Sequence, residues 1–230
     1  MPPIEEWIAV ISPAVWWGMG AILGLILLFR LLVYWVRRRK KDADLRRIIR
    51  ESGVHGEEMT VRRLRKIRGR KRILRNLYLP KGKQGGTVEV DAVMVTQDGI
   101  FVVETKNYSG VIVGDEEDRY WRHEFRDREG GFNFYNPIKQ NAGHVKALRT
   151  VLEMEVDAPI YSVLVFGDRS RLDRVRVPTA AVSITRISGL PRTIRRLASG
   201  TRGVFSNEDV DYIYERLRVY THADAKIKKE

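Results

Sequence analysis

The spacing of apolar positions changes repeatedly along the chain, and each change predicts the start of a new element. Residues 7–29 carry no charged side chain. As a helix that run is about 35 Å long, enough to cross a bilayer. Trp7, Trp16, Trp17, Tyr34 and Trp35 gather toward the ends of this region, as aromatic side chains do at membrane interfaces. Pro13 either kinks the span or marks its start, and the Arg30 side chain is long enough to reach the inner boundary. Residues 42–55 then read as a short helical linker with Leu45, Ile48 and Ile49 as its apolar positions, punctuated by Gly53 and Gly56. Residues 57–68 read as a second helix ended by Gly69, with Glu57, Val61 and Leu64 on one face at i, i+4 and i+7.

Downstream the period falls to two. Residues 73–79, 87–95 and 100–106 are β-branched and apolar enough to be strands, and Thr96-Gln-Asp-Gly99 between the last two is a tight hairpin signal. Residues 111–113 fit a short further strand, and residues 114–135 read as an irregular charged excursion around Trp121. Residues 137–152 read as a helix with Asn136 as cap and Pro137 in its first turn. Strands over 160–166 and 180–185 follow, then helices over 191–198 and 206–220, the last capped by Ser206 with Asp209 three residues on. There is no internal repeat.

Charge changes the picture in one place. The net charge is +13, and residues 37–76 hold 17 basic and 5 acidic side chains. A strongly basic stretch on a nearly neutral body points to a polyanionic partner, nucleic acid or anionic lipid. The cluster Arg37-Arg38-Arg39-Lys40-Lys41 directly follows the apolar run. By the positive-inside rule it faces the cytoplasm, with everything after it. A cleaved signal peptide is the competing reading. Glu5 and Glu6 at the start, and basic residues where a small-residue cleavage site belongs, count against it. The organisation expected is an extracytoplasmic N-terminus (1–6), a transmembrane anchor (7–36), a basic juxtamembrane linker (37–52), one cytoplasmic domain (53–220) and a tail (221–230). The chain has no cysteine and four histidines. That excludes disulfide scaffolds, thiolate metal sites and cysteine nucleophiles, and leaves oxygen ligands, which favour hard cations.

The informative side chains are on the hairpin. Glu104 and Lys106 share a face with Ile100 and Val102, and Asp91 shares one with Val93 and Val95. With Gln97-Asp98 as the turn, Asp91 lies opposite Glu104; with Asp98-Gly99, it lies opposite Lys106. Either two-residue turn gathers all three on one side, and a bulge would break the parity. The opposite faces carry Ala92, Met94, Phe101 and Val103, so these are strands buried on both sides. Two carboxylates and a lysine are costly there unless paired or bound to an ion. A divalent cation relieves the repulsion, polarises a phosphoryl oxygen and acidifies a bound water. The lysine then orients the water or offsets charge on the phosphate. Asp-x₁₂-Glu-x-Lys therefore reads as metal-assisted phosphodiester hydrolysis, or as a plain salt-bridge ladder.

The order Gly53-x-x-Gly56-Glu57, Glu89-Val-Asp91, Gly99-Ile-Phe-Val-Val-Glu104-Thr-Lys106-Asn107, Gly110-x-Ile112-x-Gly114, Trp121 and Asn136-Pro137-x-x-Gln140-x-x-x-His144-x-x-x-Leu148 resembles the nuclease-related domain (NERD) family. The resemblance covers about residues 50–165. It implies membership of the PD-(D/E)xK nuclease superfamily and an α/β, restriction-endonuclease-like core: a mixed central β-sheet flanked by helices, here preceded by the N-terminal transmembrane helix. It further implies that Asp91 and Glu104 are ligands of Mg²⁺ or Mn²⁺, that Lys106 is the catalytic lysine, that Glu57 is an additional acidic site residue, and that Gln140 is the helix-borne glutamine. The superfamily's eponymous proline is absent, since Val90 precedes Asp91.

Each residue also has a plainer role open to it. Glu57 suits a helix N-terminus, His144 a core or surface histidine, Asn107 the turn after the strand, and Trp121 the core rather than a stacked base. Arg62, Arg63, Arg65, Lys66, Arg68, Arg70, Lys71, Arg72 and Arg75 form a run without an acid. They can track a phosphate backbone or face lipid. The expected function is a membrane-anchored, metal-dependent nuclease acting on DNA. The alternatives are a non-catalytic, membrane-tethered nucleic-acid-binding or scaffold module, and a lipid-surface adaptor.

Overall fold

The computed structural model describes residues 13–82, 85–126, 129–154 and 158–221. Residues 1–6 and Trp7, Lys83 and Gln84, and residues 222–230 of the expected tail lie outside them. The chain divides into two compact units, Met1–Arg50 and Glu51–Glu230.

In the first unit, one stretch is long and apolar enough to cross a membrane: Trp16–Lys40, 25 residues, with none of its apolar window buried in protein. It belongs to helix α1 (Pro13–Arg65). The separate linker and second helix expected around Gly53 and Gly56 are not seen, because both glycines stand inside α1, which ends before Gly69. Helix interiors tolerate glycine at about 1 kcal/mol relative to alanine, and tertiary contacts at Gly56 (below) require it.

In the second unit, α1 is followed by β1 (Lys71–Pro80), β2 (Thr87–Thr96), β3 (Gly99–Lys106), β4 (Gly110–Asp115), β5 (Tyr120–Glu124), β6 (Gly131–Tyr135), α2 (Pro137–Leu152), β7 (Ile160–Phe166), β8 (Ser170–Arg176), β9 (Val182–Arg186), α3 (Leu190–Ala198) and α4 (Asn207–Arg218). The central sheet has the order β1-β2-β3-β7-β9, antiparallel up to β3 and parallel beyond it. It is a mixed sheet with helices on both faces, as expected. Val61, Leu64 and Ile67 of α1 cover one face with Ala92, Met94, Phe101, Val103, Ile187 and Ile194. Ala147, Leu148 and Val151 of α2 and Val210, Ile213 and Leu217 of α4 cover the other. The buried polar residue Asn141 docks α2, donating from Nδ2 to Val102 O at 3.1 Å and Ser162 Oγ at 2.8 Å.

Beside the expected central sheet stands a second, four-stranded sheet, β6-β5-β4-β8. The stretch read as an irregular excursion contains β5 and β6, in which Trp121 and His123 alternate with exposed Tyr120 and Arg122. Strand β8 is hidden from the sequence pattern by a bulge. Val111 pairs with Arg171 but Val113 with Arg174, so β8 carries one extra residue there. Its apolar Leu172 and Val175 therefore fall three apart instead of two. Trp121 is fully buried, stacks on Phe166 and donates from Nε1 to Asp115 O at 2.8 Å, so it is a core residue of this layer. Asn136 caps α2 through Oδ1 and uses Nδ2 to tie the carbonyls of Glu116 and Asp118 at 2.9 and 2.7 Å.

Candidate active site

The β2–β3 hairpin positions the site. Its ladder runs from Thr96↔Gly99 to Ala92↔Val103, which makes Gln97-Asp98 the turn, one of the two registers open to the sequence. Gly99 has φ 144°, and a side chain there would meet Tyr161 and Pro159 O within 3 Å. The ladder stops one pair short of Asp91 and Glu104. Beyond it a side chain takes over from backbone: Thr105 N–H donates to Asp91 Oδ2 at 2.7 Å. The expected parity of β2 does not continue through this point. Val90 and Val93, three apart, enter the same core cluster. The facing strand turns over at the same place, where Asn76 adopts φ 51° between Leu74 and Leu77. Asp91 thus sits where the two strands exchange faces, and the site is gathered by that irregularity as well as by the turn.

Glu104 is 1% exposed. Lys106 Nζ lies 2.6 Å from its Oε1 and donates to Gln140 Oε1 at 3.1 Å. The other oxygen, Oε2, is 3.4 Å from His144 Nδ1. That approach lacks hydrogen-bond geometry, so both atoms are buried without a hydrogen-bond partner. Gln140 and His144 reach the strand together because they are four apart on α2, on the face that buries Asn141 and Leu148.

The electrostatics follow from burial. Desolvation pushes the Asp91 carboxyl well above the ordinary range, and the Glu104 charge pushes it further; the Thr105 N–H opposes both. Desolvation also raises Glu57, reinforced by the Glu89 and Glu104 charges and opposed by Arg75 and Lys106. Burial alone would lower the Lys106 ammonium, but the charge and hydrogen bond of Glu104 outweigh it and the net shift is upward. Desolvation lowers His144 against the pull of Glu104. Burial and the hydrogen bond donated to Glu89 Oε1 at 2.8 Å carry the Tyr78 phenol to about 12.

Asp91, Glu104, Lys106, Gln140 and Glu57 thus act on one another electrostatically or by hydrogen bonds. Two further residues join them. Sequence reasoning leaves His144 among core or surface histidines. It includes Glu89 in the motif Glu89-Val-Asp91 but assigns it no role in the site. The basic run is divided. Arg62, Arg65, Lys66 and Arg68 are exposed and Arg63 is partly buried. Arg70 and Arg72 both pair with Asp211, and Lys71 Nζ donates to Ile67 O at 2.6 Å. Arg75 is partly buried, with Nε enclosed and unpartnered, and its charge acts on Glu57.

Glu104, buried, and Asp91, partly exposed, meet a lysine at the end of a mixed sheet flanked by helices. The nuclease-related domain model matches residues 52–167, just over half of the chain, and the chain belongs to that family. It is also 27% identical over 206 residues to an uncharacterized protein of Bacillus anthracis, covering 89% of this chain and 93% of the relative. No solved structure matches it.

Proposed function

We propose that the protein is a membrane-anchored nuclease that hydrolyses DNA phosphodiester bonds with Mg²⁺ or Mn²⁺ held by Asp91 and Glu104. One observation carries the reading: Glu104 is buried with Oε2 lacking a hydrogen-bond partner, beside an Asp91 whose ionisation it opposes. A buried acceptor left open costs about 1–3 kcal/mol, which a bound cation would recover. The donors are carboxylate oxygens, which suit hard divalent ions. Among the described residues no three His, Asp or Glu side chains form a ready-made cage. Water and substrate oxygens would complete the coordination. When bound, the cation supplies Lewis acidity toward a phosphoryl oxygen and lowers the pKa of a water. Lys106 keeps its proton and offsets charge growing on the phosphate, and Gln140 fixes its Nζ. Glu57 holds a proton to higher pH than an ordinary glutamate and can exchange it.

The exposed Arg62, Arg65, Lys66 and Arg68, with Arg63, supply sequence-independent phosphate contacts. Arg70, Lys71, Arg72 and Arg75 extend the same basic run, though the first three are bonded within the protein and the Arg75 charge acts on Glu57. The anchor is retained across residues 7–36, with residues 1–6 outside, the basic collar 37–52 on lipid phosphates, and the domain 53–220 and tail 221–230 in the cytoplasm.

The test is cleavage of single- and double-stranded DNA and RNA by the full-length protein in detergent, with Mg²⁺, Mn²⁺ or EDTA. Metal-dependent DNA cleavage lost in Glu104→Gln is expected. A second reading, a membrane-tethered nucleic-acid-binding or scaffold module, is favoured by the 2.6 Å Lys106–Glu104 pair, which already neutralises one carboxylate. Salt-dependent binding without turnover would select it. Salt-resistant sedimentation with membranes is the expected behaviour of the anchor, and release by high salt alone would defeat it.

A further inference from the structure

Asn107 directly follows Lys106, and Gly56 directly precedes Glu57. The two meet. Asn107 Nδ2 donates to Ser52 O at 2.8 Å, and Ser52 Oγ donates back to Asn107 O at 2.8 Å. A Cβ on Gly56 would collide with Asn107 Cβ and come within 2.9 Å of its Cγ, and a Cβ on Gly167 would lie 2.5 Å from Asn107 Oδ1. Asn107 is therefore wedged between a helical turn of α1 and Gly167, the residue that follows β7. The backbone beside it is bound as well: Gly167 N–H and Tyr108 N–H both donate to Lys106 O, at 3.1 and 3.0 Å, and Ser170 Oγ donates to Tyr108 O at 2.7 Å. This exceeds what closing the turn after a strand requires. The two glycines are the residues that allow so close an approach.

We propose that Asn107 is a positioning residue: it latches the Ser52–Gly56 turn of α1 to the end of β3, so that Glu57 and Lys106 are delivered to the carboxylate site as a fixed pair. Its catalytic consequence rests on the nuclease reading; the latch itself does not. Glu57 comes from a helix and Lys106 from a strand 49 positions on; a longer bond, Thr105 Oγ1 donating to Thr60 Oγ1 at 3.3 Å, joins the same helix and strand, and the two 2.8 Å bonds between Asn107 and Ser52 add the tighter tie. Displacement of a catalytic group by about 1 Å can cost 10²-fold in rate, so a latch adjacent to both residues bears directly on turnover.

The experiment compares Gly56→Ala, Asn107→Gly and the double variant of the full chain. Lys106 labelling by an amine-reactive ester is read by mass spectrometry against exposed Lys146. In the parent protein Lys106 is only 17% exposed and doubly bonded, so it labels slowly. Each single variant is expected to raise Lys106 labelling relative to Lys146 about tenfold through local opening. The double variant is expected to label no faster than Asn107→Gly alone, because the clash has lost its partner. Asn107→Asp, which keeps the shape but loses the Nδ2 donor, is the milder companion should a glycine or alanine variant fail to fold; it is expected to raise labelling in the same direction. Unchanged Lys106 labelling, or strictly additive effects, would overturn the latch. Nucleic-acid cleavage is measured on the same samples. Altered labelling with no cleavage by the parent protein leaves the latch standing and removes the nuclease reading. Cleavage that falls while Lys106 labelling stays constant does the reverse.

Discussion

Strand β3 has two ends of opposite character. From Ile100 to Val103 every side chain is apolar and fully buried, and each backbone position pairs with β2. From Glu104 to Lys106 the strand keeps its parallel partner β7 but has run past its ladder with β2. There Asp91 supplies an acceptor from its side chain, and the buried groups become ionisable. The first end draws its stability from desolvated hydrocarbon. The second retains charge at a cost, with a raised Asp91, an open Glu104 oxygen and an unpartnered His144 nitrogen. The well-made end holds the poorly satisfied end in place, as expected where local stability is given up for function.

The largest effect that tests this contrast is on the apolar end. Phe101 is fully buried and stacks on Tyr161 at 5.1 Å. Phe101→Ala should destabilise the domain by about 3–5 kcal/mol, measured by denaturant unfolding. A cost like that of a surface substitution would remove the supporting role assigned to this end.

At the charged end, Lys106→Ala should lower turnover by about 10²–10³-fold while leaving divalent-ion binding intact. Single-turnover kinetics beside a calorimetric metal titration separate the two. Equal loss of both would make Lys106 a structural partner of Glu104 and no more.

Asp91 gives a prediction with a definite sign. Its folded pKa is raised, so the folded state holds a proton that the unfolded chain has released. Its contribution is therefore fully present below the ordinary carboxylate pKa, about 3.9. That contribution is lost as pH rises through the raised folded value. In the metal-free protein Asp91→Asn should melt higher than the parent at pH 7–8, and the gap should close toward pH 4. A variant that melts lower at neutral pH would mean that the Asp91 charge is stabilising, as in a salt-bridge ladder.

The smallest effects concern the basic run. Reversing Arg62 and Arg65 should lower the salt dependence of nucleic-acid binding by about one unit of slope for each phosphate no longer neutralised. Reversing Arg70 and Arg72, which already pair with Asp211, should change it less. The opposite ranking would put the phosphate track across the Asp211 side.

The family motifs were legible because they are local. Glu104 and Lys106 need only the alternation of one strand, Gln140 and His144 only the turn of one helix, and the hairpin only a short turn, whose register stayed open between two until the ladder fixed it. Strands 87–95, 100–106 and 160–166 were recognisable because burial on both faces leaves near-continuous apolar runs. Period two was a poor guide to β8, where a bulge moves Leu172 and Val175 out of step. Charge obscured β5 and β6, although Trp121 and His123 alternate as a strand requires.

By itself the sequence determined the apolar span, the basic stretch, the central sheet's strands and the identity of the ionisable groups, since these follow from composition and short-range periodicity. Only the tertiary structure decided that α1 runs unbroken through Gly53 and Gly56, that β1 and β2 exchange faces beside Asp91, that Arg70 and Arg72 are tied to Asp211, and that Asn107 is wedged against Gly56 and Gly167. The physical reason is the same in each case. These features depend on atoms far apart in the chain that meet at van der Waals or hydrogen-bond distance, and local pattern carries no record of which distant residue will be the neighbour.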